Sequence, residues 1–496
     1  MKSDLKVFVK NRPRVMAALK AGNIDYVDGT SWSFSDKFFA FLLSIGFFKY
    51  SEDTYPSPRQ RKNIPLWILI GLMFQLKLSR SNSFYKLPGI LKSGAVLTRT
   101  NFNIGRIDGG FNRKNKTPRA LGEIVNQDTI RKYYKDTDAG ELTRWYNRDI
   151  AKFFSSKRAV RKEGIFILDG SILTLPDNQN YENAQYLPLD ADKNYIDTEK
   201  SPPYGVKPTL CYKMVNLLHI SRKADYFIFC ANKVLGGKSH DKPVGEELVD
   251  EYVKNVGKDR IKLLIMDRAF LSASMISRFK TEYGIDTLIP LKKNMDAASD
   301  AKGLLRLEAA PWKKVDEATC CYMAKKISSY EGVSVELNVI LVRSTQKNGK
   351  VRLWSLATTR NYRDPVRAVL DYRLRWQIEE RYRQIKSGWF DKGFNSTSFN
   401  LIVAHILFTL LVYSLIQIYL NISSLSHLAN RTMESLMAEE SVGVNTVIMY
   451  AGGYYTVLDT NEALYQVVEL EGKAREKFRE WIRKFLGKKP RMPDDP

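Results

Sequence analysis

Three acidic residues stand where carboxylates could do phosphoryl-transfer chemistry. Asp169 follows the apolar run IFIL, and Asp267 follows KLLIM. An acid at the end of a strand is a common turn former on its own. If the two strands lie side by side, however, both carboxylates emerge at one sheet edge and can share hard divalent cations. Phosphodiester chemistry uses such a pair of ions, about 3.5–4 Å apart, to steady the attacking and leaving oxygens. A third carboxylate is offered by DYRLRWQIEERYRQIKSGW, where Tyr372, Arg375, Glu379 and Lys386 fall at offsets of zero, three, seven and fourteen. On a regular α-helix these positions share an arc of roughly 60°. A solvated helix with ordinary ion pairs gives a similar charge run, but Glu379 and Lys386 are too far apart in sequence to pair. Asp177, Asp241 and Asp296 are the fallback ligands.

The elements that must position these residues form a change of texture along the chain. Up to about Arg161 the pattern is helical and basic, with apolar clusters such as FFAFLLSIGFF and IPLWILIGLMFQLKL. The stretch Arg99 to Arg119 is rich in Gly and Asn and positively charged, as a phosphate-facing loop would be. After it, Asn126 can cap a helix presenting Asp128, Thr129, Arg131 and Lys132, a candidate helix-turn-helix reader. From Gly164 on, five β-branched and aromatic runs (165–169, 209–220, 225–231, 261–267 and 286–291) read as strands of one sheet, with a helix over HDKPVGEELVDEYVKNVG before the fourth. Residues 302–359 read as a β-rich insertion with a hairpin turn at Asn348-Gly349. Helices are expected from there to the end, the last being the basic, amphipathic EGKAREKFREWIRKFLGKKPR.

The 496 residues exceed one core, so several domains are expected. A hydrophobic share of 44% is enough to fold most of the chain. Seventy-eight Lys and Arg against 54 Asp and Glu give a formal charge of +24, spread along the whole length, which points to a polyanion such as nucleic acid ahead of an anionic membrane surface. Cys211, Cys230, Cys320 and Cys321 lack metal-site spacing and read as reduced thiols; with no secretory signal at the start, the expected location is the cytoplasm. Leu401 to Leu420 carries no formal charge and is long enough for a bilayer, yet its polar interruptions favour a helix buried inside the protein, with no membrane partner.

The pattern Tyr-x2-Arg-x3-Glu-x6-Lys, met without a gap by Tyr372, Arg375, Glu379 and Lys386, resembles the signature of the DDE transposases of bacterial insertion sequences, specifically the insertion sequence 4 family. LDGSILTLPD and MDRAFLS resemble that family's first and second motifs, although Ala269 stands where Gly is common. The likeness covers roughly residues 160–420. It implies a mixed α/β, ribonuclease-H-like core at 161–301 and 360–425, interrupted by the 302–359 insertion. A helical DNA-end-binding region (1–160) would precede it, and a helical region for dimerisation or DNA contact (426–496) would come after it. It further implies Asp169, Asp267 and Glu379 as catalytic ligands of two Mg²⁺ ions per site, with Mn²⁺ as substitute. Arg268, Tyr372, Arg375 and Lys386 would contact DNA, joined by Arg131 and Lys132 of the candidate reader helix, while Phe270 would pack. Trp354 or Trp312 would stack a flipped base. The implied activity is cut-and-paste transposition of double-stranded DNA through a hairpin intermediate, by a homodimer holding paired ends. Rival readings are a nuclease of the same fold, a DNA-binding protein descended from a transposase, and a membrane protein built on Leu401 to Leu420.

Overall fold

The computed structural model describes residues 9–30, 34–59, 64, 66–80, 83–84, 127–190, 195–196, 206–307, 311–346, 348–390, 394–432, 435–436 and 446–486. They divide into two units, one of Asp138–Asn430 and one of Met1–Thr137 with Arg431–Pro496. The Arg99 to Arg119 stretch and Asn126 lie outside the described residues.

The larger unit is built on a ten-stranded mixed sheet. It opens with a helix, α1, that runs from Ala139–Arg144 through a π-helical turn at Trp145–Ile150 into Ala151–Ser156. Next come β1 (Ile165–Thr174), β2 (Gln185–Leu189), β3 (Lys207–Ile220), β4 (Phe227–Gly236), α2 (Asp241–Val256), β5 (Leu263–Met266), α3 (Ala273–Tyr283), β6 (Asp286–Pro290) and α4 (Asp296–Leu307). The remainder is β7 (Lys313–Asp316), β8 (Thr319–Ile327), β9 (Leu337–Thr345), β10 (Val351–Thr358), α5 (Pro365–Arg373), α6 (Trp376–Ile385) and α7 (Phe399–Ile422). The strand order is β2-β3-β1-β5-β6-β10-β9-β8-β7, with β4 also on β3. Fourteen-residue β3 takes β2 on its first five residues and β4 on the rest. Pairing is parallel at β1–β5 and β5–β6, and antiparallel elsewhere.

The two-residue period of β1 sorts the layers. Phe166 meets Tyr252 of α2, and Gly245 of α2 lies directly on Leu168. A Cβ at Gly245 would stand 2.8 Å from Leu168 and 2.6 Å from the Phe270 ring, so the absence of a side chain lets α2 sit close. Asp169, on the other face, turns toward α6. α7 packs on β4 and α1, is buried along its apolar length, and satisfies irregular backbone: its Ser414 hydroxyl accepts from Phe229 N–H (3.0 Å), beside a bulge in the β3–β4 ladder.

Two expectations change. The β segment between 302 and 359 is no separate insertion in the sheet's hydrogen bonding, because β10 pairs with β6 at Leu356↔Pro290 to Thr358↔Leu288 and extends the same sheet. The chain ends are also not simply helical. In the smaller unit, Val9–Lys10, Tyr454–Asp459, Thr446–Ala451 and Tyr26–Thr30 form a four-stranded sheet in that order. The two C-terminal strands turn at Gly452 and Gly453, with φ of +54° and +83°, which suits a two-residue hairpin. Val15, Leu19 and Val27 share one core with Val447, Leu458, Phe478 and Ile482, so the two ends of the chain fold together. The stretch 138–156, read from sequence as part of the N-terminal region, belongs to the larger unit.

Candidate active site

Asp169 and Asp267 are neighbours because of where one strand stops. β1 and β5 run parallel from Ile165↔Leu263 to Leu168↔Met266, and the next residue on each strand is the acid. Beyond that point the two strands diverge. β5 ends, and Asp267 caps a 3₁₀ turn at Arg268–Phe270 by accepting from Arg268 N–H at 2.6 Å. β1 continues to Thr174 against β3, so Asp169 lies inside a strand, opposite Asn216, and does not terminate it as the sequence suggested. Phe270 is buried beneath Gly245 and holds the Asp267 turn against α2.

Glu379 comes from the opposite layer. The single helix expected over 371–389 is interrupted: α5 ends at Arg373, i→i+3 bonds tighten Leu374 and Arg375, α6 begins at Trp376, and Lys386 opens a π-helical turn. Leu and Arg are good helix formers, so no residue type announces this break. α6 buries Ile378, Arg381, Tyr382 and Ile385 at helical spacing, with the Arg381 guanidinium 4.1 Å over the Phe227 ring of β4. Glu379 stands beside that buried face, half-exposed.

Electrostatics tie these groups together. Burial pushes the Asp169 carboxyl up to about 7, opposed by the Arg375 guanidinium, reinforced by Asp267, eased by the Gly170 N–H (3.0 Å) and reinforced again by Glu379. Arg375 bridges the outer pair, with Nη1 3.7 Å from Asp169 Oδ2 and Nη2 hydrogen-bonded to Glu379. Its own proton affinity is lowered by burial and, with larger net effect, raised by Tyr372, Asp169, Glu379 and Asp267. Burial likewise pushes the Tyr372 phenol up to about 12, against the pull of Arg375. Asp169, Asp267, Glu379, Tyr372 and Arg375 therefore form one cluster, a partly buried carboxylate trio around a guanidinium.

Among the described residues no three Asp, Glu, His or Cys groups are arranged, as they stand, to hold a metal ion. The donor set still fits a hard divalent cation in chemistry: three oxygen ligands, one of them destabilised as an anion by burial, and a positive group already drawn between two of them. Arg375 supplies positive charge between two of those carboxylates.

The segment 161–415, just over half the chain, matches the family model described as transposase DDE domain. The chain belongs to that family. It is thus a transposase-type, nucleic-acid-processing protein with DNA as its partner, and its mixed sheet with helices on both faces fits the ribonuclease-H-like fold of a DDE domain. Curated proteins include no match to the chain.

Around the carboxylate cluster, the other candidates fall in different places. Trp354 of β10 lies against Tyr372, ring centroids 5.7 Å apart, next to the cluster. Trp312 precedes β7, the last strand of the sheet, and carries the Arg343 guanidinium 4.8 Å over its ring. Arg268 is exposed beside Asp267. Arg131 and Lys132 are exposed on a helix, Gln127–Asp136, of the smaller unit, with Arg131 paired to Asp128 at 3.2 Å. Of the fallback acids, Asp177 is bonded to Tyr186, Asp241 is paired with Lys213 at 3.1 Å, and Asp296 opens α4. Sequence reasoning missed the polar support beneath the cluster: Tyr382, Asn216, Asn232 and Asn147, all buried. The usable signal was Asn216 inside the strand run 209–220 and Asn232 directly after the run 225–231.

Proposed function

We propose that this protein is a cut-and-paste DNA transposase of the insertion sequence 4 type, in which Asp169, Asp267 and Glu379 are the catalytic carboxylates. The observation that carries the reading is the Arg375 bridge: one guanidinium spans Asp169 and Glu379 with Asp267 alongside, inside a transposase DDE domain. Mg²⁺, or Mn²⁺ in its place, two ions to a site, would be held by those three carboxylates and would supply Lewis-acid charge to the phosphodiester.

The chain's own groups then have distinct tasks. Arg375, once drawn off the carboxylates by competing positive charge, is free to pair with a phosphate, for which its planar fork is suited. Lys386 adds a second positive charge along the same stretch of chain, and the Tyr372 phenol, held neutral, donates to a phosphate oxygen. Water opens the phosphodiester at a transposon end, leaving a 3′-OH. That hydroxyl attacks the opposite strand and displaces its 3′-oxygen, which closes a hairpin. Reopening and attack on target DNA complete the transfer. Trp354, beside Tyr372, stacks a base flipped out at the hairpin, and Arg268 contacts DNA next to Asp267. The smaller unit, with Arg131 and Lys132 exposed, binds transposon ends, and a homodimer holds two ends together in a prokaryotic cytoplasm.

The test is incubation of the full chain with DNA carrying the gene's own flanking ends and Mg²⁺, with product analysis on denaturing gels. Nicks, hairpins and joined products support the transposase. Nicks without joined products would leave a nuclease of the same fold, and binding without cleavage a retired DNA-binding protein.

A further inference from the structure

Tyr382 is outside the signature, lies three residues beyond Glu379 on α6, and is 4% exposed. Its hydroxyl donates to the main-chain carbonyl of Asp169 at 2.9 Å and accepts from Asn216 Nδ2 at 3.1 Å. The place is specific. The parallel pairing of β1 with β5 ends at Leu168, and the carbonyl taken by Tyr382 is the next one along β1. A buried polar ladder backs the bond: Asn232 Nδ2 of β4 donates to Asn216 Oδ1 (2.7 Å), and Asn147 of α1 grips the Asn232 main chain, accepting from its N–H (2.9 Å) and donating to its carbonyl (3.1 Å). Asn216, Asn232 and Asn147 are each 1% exposed or less. A helix and two adjacent strands thus meet at a single phenol.

Resting on the function proposed above, we infer that Tyr382 is a positioning residue that sets the separation of the first and third carboxylates. Asp169 is fixed through its own backbone, and Glu379 through the helical turn that carries both it and Tyr382. Other anchors of α6 lead elsewhere, Arg381 lying over Phe227 of β4 and bonding Asn430, so beside the Arg375 ion pair to the Asp169 carboxylate the Tyr382 hydroxyl ties the helix to the backbone of β1. Geometry at a reacting centre is unforgiving: a misplacement of about 1 Å costs on the order of 100-fold in rate.

The test compares Tyr382→Phe with Tyr146→Phe in the full chain. Tyr146 is an equally buried phenol whose hydroxyl donates to a main-chain carbonyl, that of Phe229, at 2.8 Å, with no tie to α6. Both variants lose the same kind of bond and should melt at similarly lowered temperatures. Mn²⁺ binding measured by calorimetry should stay within about twofold of the parent in Tyr146→Phe and weaken about tenfold in Tyr382→Phe, with end-DNA affinity unchanged and single-turnover nicking slowed at least as much. Asn216→Ser, which keeps the Tyr382–Asp169 bond but removes its support, should fall between them, and serves as the informative variant should Tyr382→Phe not fold. Equal Mn²⁺ affinity in the two Tyr→Phe variants, or an Asn216→Ser protein indistinguishable from the parent, would overturn the inference alone. A parent protein that binds no Mn²⁺ would overturn the metal reading of the site and this inference with it.

Discussion

Neutralising Asp169 should stabilise the metal-free protein while abolishing its chemistry. The residue is 8% exposed, and its carboxyl faces two other acids and is held up at about 7, against about 3.9 for a free aspartate. Below pH 4 it is protonated in both the folded and the unfolded chain and contributes no pH dependence. As the pH rises the unfolded chain releases its proton first, while the folded chain keeps it until about 7. Stability is therefore fully present at low pH, is lost across the window from about 4 to 7, and is flat above it. Each pH unit within that window is worth about 1.36 kcal/mol, so between pH 5 and pH 8 this group alone removes about 2–3 kcal/mol. Asp169→Asn keeps the shape and cannot ionise. In EDTA its melting temperature should gain on the parent's between pH 5 and pH 8, by roughly 4–10 °C for a domain of this size. Added Mn²⁺ should close the gap by raising the parent and leaving the variant in place. Parallel pH curves for the two proteins would refute the argument, because they would mean that Asp169 ionises without penalty in the folded state.

Three further outcomes rest on particular contacts. Gly245→Ala places a methyl 2.6 Å from Phe270 and 2.8 Å from Leu168, and should cost about 1–3 kcal/mol in chemical denaturation, with reduced cleavage because the Phe270 turn carries Asp267. Trp354→Ala should impair hairpin formation more than first-strand nicking on denaturing gels, since the ring sits against Tyr372; equal loss at both steps would count against base stacking there. Light scattering of the protein with saturating end DNA should give two protomers for two ends, and one protomer per pair of ends would exclude the synaptic dimer.

Local pattern carried the sheet's central strands and both strand acids, and non-local pairing explains most of what it did not carry. IFILD was legible, but β1 runs on through Gly170 and Ser171, residues that read as a turn. Gly170 is there because a Cβ would press within 3.1 Å of the Asp241 carboxylate on α2. β10 follows the hairpin turn at Asn348-Gly349, and nothing in its own sequence says that β6, more than sixty residues earlier, is its second partner. The joint folding of the chain ends is hidden for the same reason. Tyr372, Arg375 and Glu379 were picked out by spacing on an ideal helix. The helix in fact breaks between Tyr372 and Trp376, where i→i+3 bonds tighten a turn whose dihedrals stay helical, and Arg375 still acts with both Tyr372 and Glu379. Asn216, inside a strand run, and Asn232, just beyond one, were readable as oddities, since a buried amide requires partners, but which residues supply them is a property of the packed layers.

The most direct measurement of the central claim is cleavage of the native flanking DNA by the parent chain and by Glu379→Ala, each with Mg²⁺, with Mn²⁺ and with EDTA, alongside end binding by gel shift. The account predicts metal-dependent nicks, hairpins and joined products from the parent, and full end binding with no product from the variant. Products of undiminished yield from Glu379→Ala would contradict it, because the third carboxylate would then lie elsewhere than on α6.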